Sequence, residues 1–169
     1  MDHNPWKIID EQEIYNNPWI RLTQYNVINP GGGKGIYGKV HFKNTAVGVM
    51  VLDEQLNTYL VGQYRFTLNA YSWEIPEGGG PIGTNPLESG KRELLEETGL
   101  IAQKWEALFY LARQLKQDQP RPEETEQLVV KKIPFMEAVE MVENGQITDS
   151  MSVAAIYKVQ LLLAQGKLK

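Results

Sequence analysis

Three glutamates, Glu93, Glu96 and Glu97, stand at spacings i, i+3 and i+4 in a stretch that is typical of a helix. At these spacings the side chains occupy neighbouring positions on one helical face. Neighbouring carboxylates disfavour the helix by a few tenths of a kcal/mol per pair, so a cation among them would stabilise it. Hard divalent cations such as Mg2+ prefer oxygen ligands and keep positions open for water and phosphate oxygens. The cluster is therefore a candidate metal site.

A solvated acidic helix face is the commoner meaning of such a cluster when it is taken alone. Its context favours the metal site, because residues 73–80 (Trp-Glu-Ile-Pro-Glu-Gly-Gly-Gly) place a strand end and a glycine-rich loop directly before the helix. Main chain without side chains can approach a ligand closely there.

Both ends of the acidic helix carry sequence signals. Asn85 can cap the first turn, Pro86 suits the first helical position, and Glu88 follows three residues after the cap. Gly99 can take the left-handed conformation just beyond the last turn. The sequence thus predicts a helix between Asn85 and Gly99.

The remaining elements follow from apolar periodicity and turn residues. Glycine and proline make residues 29–35 and 76–83 turns or loops. Strands are predicted at 6–14, 19–28, 36–42, 45–52, 59–64, 105–112 and 127–133, and helices at 135–143 and 150–164. Strands dominate the first half without strict alternation with helices, so we expect a single α+β domain over residues 1–169.

Composition excludes several classes of function. The net charge of −4 argues against sequence-independent binding of nucleic acid, so an anionic substrate needs local cations. No apolar stretch approaches the length of a membrane span, the first residues do not resemble a signal peptide, and there are no cysteines. We therefore expect a soluble, cytoplasmic protein without a membrane partner.

Residues 78–100 resemble the Nudix box, which runs Gly, five residues, Glu, seven residues, Arg-Glu, an aliphatic residue, any residue, Glu-Glu, any residue, Gly and an aliphatic residue. Gly78, Arg92-Glu93-Leu94, Glu96-Glu97 and Gly99-Leu100 fall in register. One position departs, since Thr84 stands where the family has its first glutamate. In similar proteins that residue mainly supports the loop and the arginine.

The resemblance implies roles for the box residues. Glu93 and Glu97 would be direct metal ligands, and Glu96 would be a ligand or would orient water. The main-chain carbonyl of Glu77 would complete the protein ligands, and Arg92 would orient the carboxylates. Catalytic residues would then be Arg92, Glu93, Glu96 and Glu97, with Mg2+, or Mn2+ in its place, as the cofactor.

Segments outside the box resemble the branch of ADP-ribose and nucleoside diphosphate sugar pyrophosphatases. Residues 61–65 and 73–76 match the segment before the box, and residues 122–127 match one after it. The branch implies an α/β/α sandwich with a mixed sheet, preceded by antiparallel strands, and a homodimer to which residues 1–43 contribute. Substrate-binding positions would be Arg65, Trp73, Glu74, Gly78 and Gly79.

The function implied is Mg2+-dependent hydrolysis of the diphosphate bond of ADP-ribose or a nucleoside diphosphate sugar. The products would be a nucleoside monophosphate and a sugar phosphate.

The resemblance breaks between Gly99 and Pro120, where the sequence predicts one strand instead of two strands joined by an acidic loop. Asp118, Glu123 and Glu124 are the nearby acidic residues, and their typical role is that of solvated loop charges. Either the loop is shortened or a catalytic acid or base comes from elsewhere. The alternative function is a Nudix-fold nucleotide-binding or regulatory domain with reduced or no turnover.

Overall fold

The computed structural model describes residues 3–107, 110–122 and 128–168. These residues form two compact units, residues 1–45 and residues 46–169, which are described in turn. No described helix is long and apolar enough to cross a bilayer. The single domain that we expect over residues 1–169 stays a prediction.

The first unit is an antiparallel sheet of three strands, β1 (Lys7–Asn16), β2 (Ile20–Ile28) and β3 (Lys34–Phe42), in that order. Its β2–β3 turn closes around Asn29, whose side-chain oxygen accepts a hydrogen bond from the Gly33 N–H at 3.0 Å. Gly32 takes a positive φ of 87° in this turn, which a side chain would disfavour. The predicted N-terminal antiparallel strands are confirmed.

The described residues of the second unit form seven strands and three helices. In chain order they are β4 (Asn44–Val51), β5 (Asn57–Arg65), β6 (Ala70–Glu74), β7 (Glu77–Pro81), α1 (Pro86–Thr98), β8 (Leu100–Ala107), β9 (Tyr110–Gln117), β10 (Val129–Pro134), α2 (Phe135–Glu143) and α3 (Ser150–Ala164). One sheet has the order β10-β5-β6 and the other the order β7-β4-β9-β8. The second sheet is mixed, because β4 and β9 run parallel while β8 and β9 run antiparallel.

Strand β4 shows why helices lie on both faces of its sheet. Its buried residues alternate between two clusters, as successive side chains of a strand point to opposite faces. Val49 and Val51 pack in the cluster that contains Leu94 of α1. Met50 packs in the cluster that contains Phe135 of α2 and residues of α3. This layering is the α/β/α sandwich that the resemblance implied, and the predicted α+β class is confirmed.

Helix α1 begins and ends where the sequence predicted. The Asn85 side chain accepts a hydrogen bond from the Leu87 N–H at 3.0 Å, and Gly99 takes a φ of 71°. The Gly99 N–H donates to the Leu95 carbonyl at 2.9 Å, which closes the last turn.

The prediction of a single strand over residues 105–112 is wrong. The chain reverses after Ala107, which pairs with Tyr110, so that Trp105 lies opposite Ala112 in an antiparallel pair. Tyr110 also lies beside Val49 of the parallel neighbour β4. The continuous apolar run concealed the reversal, because no glycine or proline marks it.

The glycine-rich segment predicted as a loop also differs, since part of it forms strand β7 beside β4. The Val49 N–H donates to the Pro76 carbonyl at 2.8 Å just before β7 begins. Pairing with a buried strand thus outweighs the weak strand preference of glycine. The consequence is a fixed main chain at the position where the candidate site lies.

Candidate functional site

Helix α1 turns two of its predicted carboxylates inward. Glu93 and Glu97 are one helical turn apart and are 8% and 4% exposed. The Glu96 side chain is 28% exposed and lies toward the helix surface. Buried carboxylates require polar partners, because an ionised group out of water is costly unless it is paired or hydrogen-bonded.

Arg92 links these carboxylates to strand β7. Its Nη2 donates to Glu93 Oε1 at 2.5 Å and to the Gly79 carbonyl at 2.8 Å. Its Nη1 donates to Glu96 Oε2 at 2.5 Å. A guanidinium suits this task because its donors form a rigid planar fork. Arg92 thus has the position that an orienting residue needs.

The main chain of β7 lies directly against Glu93 and Glu97. The Glu77 N–H donates to Glu97 Oε2 at 3.0 Å. A side-chain carbon on Gly78 would overlap the Glu93 carboxylate, so only glycine fits there without displacing it. The structure therefore brings together the predicted residues Glu77, Gly78, Arg92, Glu93 and Glu97.

Thr84, the departure from the family pattern, closes the turn between β7 and α1. Its hydroxyl donates to the Pro81 carbonyl at 2.7 Å, and its N–H donates to the same oxygen at 3.1 Å. Loop support at this position therefore comes from a local hydrogen-bonded turn.

Arg65 ends strand β5 and is held by carboxylates. Its Nε donates to Glu74 Oε1 at 2.9 Å, its Nη2 contacts the other Glu74 oxygen, and Glu77 Oε1 lies 3.4 Å from Nη2. Glu74 is only 4% exposed, whereas the Arg65 side chain is 35% exposed, so only the carboxylate of this bidentate ion pair is shielded from water. Arg65 and Glu74 thus lie beside the acidic cluster, joined to it through Glu77.

A polar cavity of about 430 Å³ lies beside this ion pair. Burial, together with the nearby negative charges of Asp149 and Glu74, raises the pKa of Glu77 to about 8. Glu77 Oε2 is buried without a hydrogen-bond partner in the described part of the chain. The cavity is lined by Arg65, Thr67, Leu68, Ser72, Glu74, Glu77, Thr148 and Asp149.

Like the predicted positions Gly78 and Gly79, the predicted substrate-binding residue Trp73 does not line this cavity. Its neighbours Ser72 and Glu74 line the cavity, and alternation along β6 turns Trp73 to the other face. There its ring lies 5.5 Å from that of Tyr71 and packs against the core. The resemblance implied a role in substrate binding for Trp73, and that role stays a prediction.

Of the acidic residues that follow the Nudix box, Asp118 lies among the described residues. Asp118 is exposed after β9, its N–H donates to the Gly99 carbonyl, and its carboxylate accepts from the Gln119 N–H at 2.8 Å. It therefore lies at the C-terminal end of α1. Glu123 and Glu124 lie outside the described residues.

Two residues near the site, Asp149 and Ser152, were not predicted from the sequence. Asp149 caps α3 by accepting from the Ser152 N–H at 2.6 Å, and it lines the cavity beside Glu77. The Ser152 hydroxyl oxygen accepts from the Ile75 N–H at 2.9 Å. An aspartate before a helix signals a cap, but only the fold shows what lies opposite it.

The chain resembles known proteins over nearly its whole length. The family described as the NUDIX domain matches residues 42–166, and the family described as the nucleoside diphosphate sugar hydrolase N-terminal domain matches residues 6–40. The chain is 30% identical to an ADP-ribose pyrophosphatase of Mycobacterium tuberculosis, with 94% of this chain and 85% of that protein covered. It is 27% identical to an ADP-ribose pyrophosphatase of Bacillus subtilis, with 92% of each covered.

A crystal structure of an ADP compounds hydrolase shares the fold, with a TM-score of 0.80 at 17% identity over 99% of this chain and 100% of that chain. The NUDIX match spans most of the sequence and contains the whole cluster of Arg92, Glu93 and Glu97. The chain therefore belongs to the Nudix family of hydrolases.

Proposed function

We propose that this Nudix hydrolase is a Mg2+-dependent pyrophosphatase that cleaves the diphosphate bond of ADP-ribose or a nucleoside diphosphate sugar. The observation that carries the proposal is the burial of Glu93 and Glu97 against the main chain at Glu77 and Gly78, with Arg92 joining helix and strand. Two relatives that match most of this chain are named ADP-ribose pyrophosphatase, which supports this substrate class.

The donors at this position fit a hard divalent cation in kind. Glu93, Glu97 and the Glu77 carbonyl offer only oxygen atoms, which Mg2+ prefers, and the missing Gly78 side chain leaves room for the Glu93 carboxylate. Within residues 3–107, 110–122 and 128–168, no three acidic or histidine side chains converge on one point. The proposed set needs only two carboxylates and one main-chain carbonyl, with Glu96 as a ligand or as a residue that orients water.

The reaction is attack of water on one phosphorus of the diphosphate. A new phosphorus–oxygen bond forms and the bridging bond breaks, giving a nucleoside monophosphate and a sugar phosphate. Mg2+, or Mn2+ in its place, would activate the water and neutralise charge on the phosphate oxygens. Arg92 holds Glu93 and Glu96 in place, and the ion-paired Arg65 offers the cavity its guanidinium.

A regulatory or nucleotide-binding role is the second candidate. The observation that favours it is the β8–β9 connection, where the sequence has Leu108 and Phe109 and no acidic residue. Such a domain would bind the same nucleotides without releasing products. Product analysis therefore separates the two candidates.

We also propose a homodimer in which residues 1–43 contribute to the interface and, by resemblance, to the partner's substrate pocket. Large apolar side chains exposed on the N-terminal sheet support this proposal, because contiguous exposed apolar surface marks interaction sites. The cytoplasmic location stays a prediction.

The test is product analysis with a panel of ADP-ribose, ADP-glucose and GDP-mannose in the presence of Mg2+. We expect a monophosphate and a sugar phosphate from at least one compound, and no products after EDTA removes the metal. Glu97→Gln keeps an oxygen that can accept from the Glu77 N–H but removes the charge. It should lower kcat/KM by at least about a hundredfold.

Glu88→Gln is the matched control on the same helix, because Glu88 is exposed and pairs only with Lys91 in the described structure. It should retain wild-type activity. Nucleotide binding without turnover in the wild-type protein would support the regulatory candidate, and substantial activity in Glu97→Gln would refute the ligand assignment.

A further inference from the structure

Three elements fix the segment Ile75–Pro76–Glu77, which leads from the end of β6 into the first residue of β7. The Ile75 N–H donates to Ser152 of α3 at 2.9 Å, and the Pro76 carbonyl accepts from Val49 of β4 at 2.8 Å. The Glu77 N–H donates to Glu97 of α1 at 3.0 Å. Consecutive residues of the segment thus bond to α3, β4 and α1, and the segment leads directly into the Gly78 contact with Glu93.

The bond to α3 is fully buried. Ser152 and Ile75 are both 0% exposed, so water cannot replace the hydroxyl oxygen as acceptor for the Ile75 N–H. A buried donor left without a partner is destabilising, which makes the hydroxyl the feature that this position requires. Alanine would otherwise be the better helix former here.

The hydroxyl is itself held in place by the helix cap. Asp149 accepts from the Ser152 N–H at 2.6 Å, which fixes the first turn of α3 and with it the Ser152 side chain. The segment that Ser152 holds through Ile75 ends at Glu77, whose carbonyl is a proposed metal ligand. A side chain far beyond the Nudix box is thus hydrogen-bonded to the segment that carries the proposed ligand Glu77.

Resting on the proposed function, we propose that Ser152 is a positioning residue of the metal site. It acts through Ile75 and holds the main chain at Glu77 against Glu93 and Glu97. Without the hydroxyl, the Ile75 N–H gains by shifting toward another acceptor, and the Glu77 carbonyl shifts with it. The affinity of the site for the divalent cation is therefore lowered.

The test measures binding of Mn2+ to the full-length protein without substrate, by calorimetry or by the spin resonance of free Mn2+. Ser152→Ala should raise the Kd for Mn2+ about fivefold, the equivalent of losing one net hydrogen bond. In activity assays the metal concentration for half-maximal rate should rise by the same factor, with kcat at saturating Mn2+ within about twofold of wild type. Amide exchange at Ile75 should accelerate.

Two further variants separate positioning from loss of structure. Ser152→Thr keeps the acceptor oxygen while crowding a buried site, so it should bind Mn2+ like the wild type even if it unfolds more easily. Ser150→Ala, on the exposed side of the same turn, should change neither affinity nor stability. If Ser152→Ala does not fold, Ser152→Cys, nearly isosteric with a weak acceptor, takes its place in the comparison.

If Ser152→Ala bound Mn2+ with wild-type affinity, the positioning role would be overturned while the proposed function stayed intact. Equal loss of affinity in Ser152→Thr would overturn it as well, because the acceptor would then be irrelevant. Absence of Mn2+ binding and turnover in the wild-type protein would instead refute the proposed function, and the positioning role would fall with it.

Discussion

Because Gly78 has no side chain, there is space beside it for the Glu93 carboxylate. An added carbon would overlap the carboxyl carbon and both oxygens of Glu93, which Arg92 also holds. The Glu93 side chain would have to leave its position, since the helix behind it is packed against the sheet through Leu94. The site therefore depends on a residue that contributes no functional group.

Gly78→Ala should raise the Kd for Mn2+ by at least about tenfold, because residues that hold a ligand in place typically contribute ten- to a hundredfold to metal affinity. Crowding should also lower the free energy of unfolding by about 1–3 kcal/mol. Calorimetry with Mn2+ and urea denaturation would check the two effects. Gly35→Ala is the control, since its added carbon meets only the Val27 side chain, at 3.9 Å. Unchanged Mn2+ affinity in Gly78→Ala would contradict the expected displacement of Glu93.

The sequence predicted best those residues whose positions follow from their spacing along a single element. The spacing of Glu93 and Glu97 places both on one helical face whatever surrounds the helix, and the structure buries both. Ser152 could not be predicted, because its partner Ile75 lies 77 positions away and a serine in an apolar helix carries no signal of its own. The role of Trp73 in substrate binding stays a prediction, because the resemblance that implied it does not reveal which face of a strand the side chain takes.

At the scale of elements, the turn between β4 and β5 is organised by one carboxylate. Asp53 Oδ1 accepts from the N–H groups of Gln55 at 2.9 Å and Asn57 at 2.8 Å. Its other oxygen pairs with Lys132 of β10 at 2.5 Å. Burial raises the pKa of Asp53, but hydrogen bonds from Lys132 and Asn57 outweigh it and lower the pKa to about 2. One side chain thus ties three strands together.

Asp53→Asn should lower the free energy of unfolding by about 2 kcal/mol at pH 7, the linkage value of this pKa change. Because the folded pKa lies below the unfolded value of 3.8, the stabilisation is fully present above that pH. It is lost as the pH falls toward 2, where the two proteins should converge. Urea denaturation at a series of pH values would measure this.

Glu54→Gln is the matched control in the same turn, since Glu54 is exposed, and it should match the wild type at every pH. A constant difference between Asp53→Asn and the wild type from pH 7 to pH 2 would contradict the electrostatic account. It would mean that hydrogen-bond geometry alone stabilises the turn.

Element boundaries were predictable where the sequence marks them and not where pairing decides. Asn85 and Gly99 specify both ends of α1 through their own backbone chemistry. The β8–β9 hairpin has no such marks, and β7 is a strand only because β4 supplies its partner. Non-local pairing therefore accounts for these two errors in the predicted elements.

At the scale of the whole molecule, the N-terminal sheet carries large exposed apolar side chains. Ile36, Val40 and Phe42 alternate along β3 and so share one face, with exposed fractions of 69%, 46% and 70%. Contiguous exposed apolar side chains of this size mark an interface. We therefore expect a dimer in solution, consistent with the homodimer implied by the family resemblance.

Light scattering coupled to size exclusion should give the wild-type protein twice the chain mass of 19.2 kDa. Phe42→Lys should shift the protein toward the monomer, because burying a lysine in an apolar interface without a partner is costly. Leu161→Lys places the same charge on a half-exposed apolar position of α3 and should leave the dimer intact. A monomeric wild-type protein, or equal dissociation by both substitutions, would exclude the β3 face as the interface. The exposed apolar residues would then have to be covered by something other than a second copy.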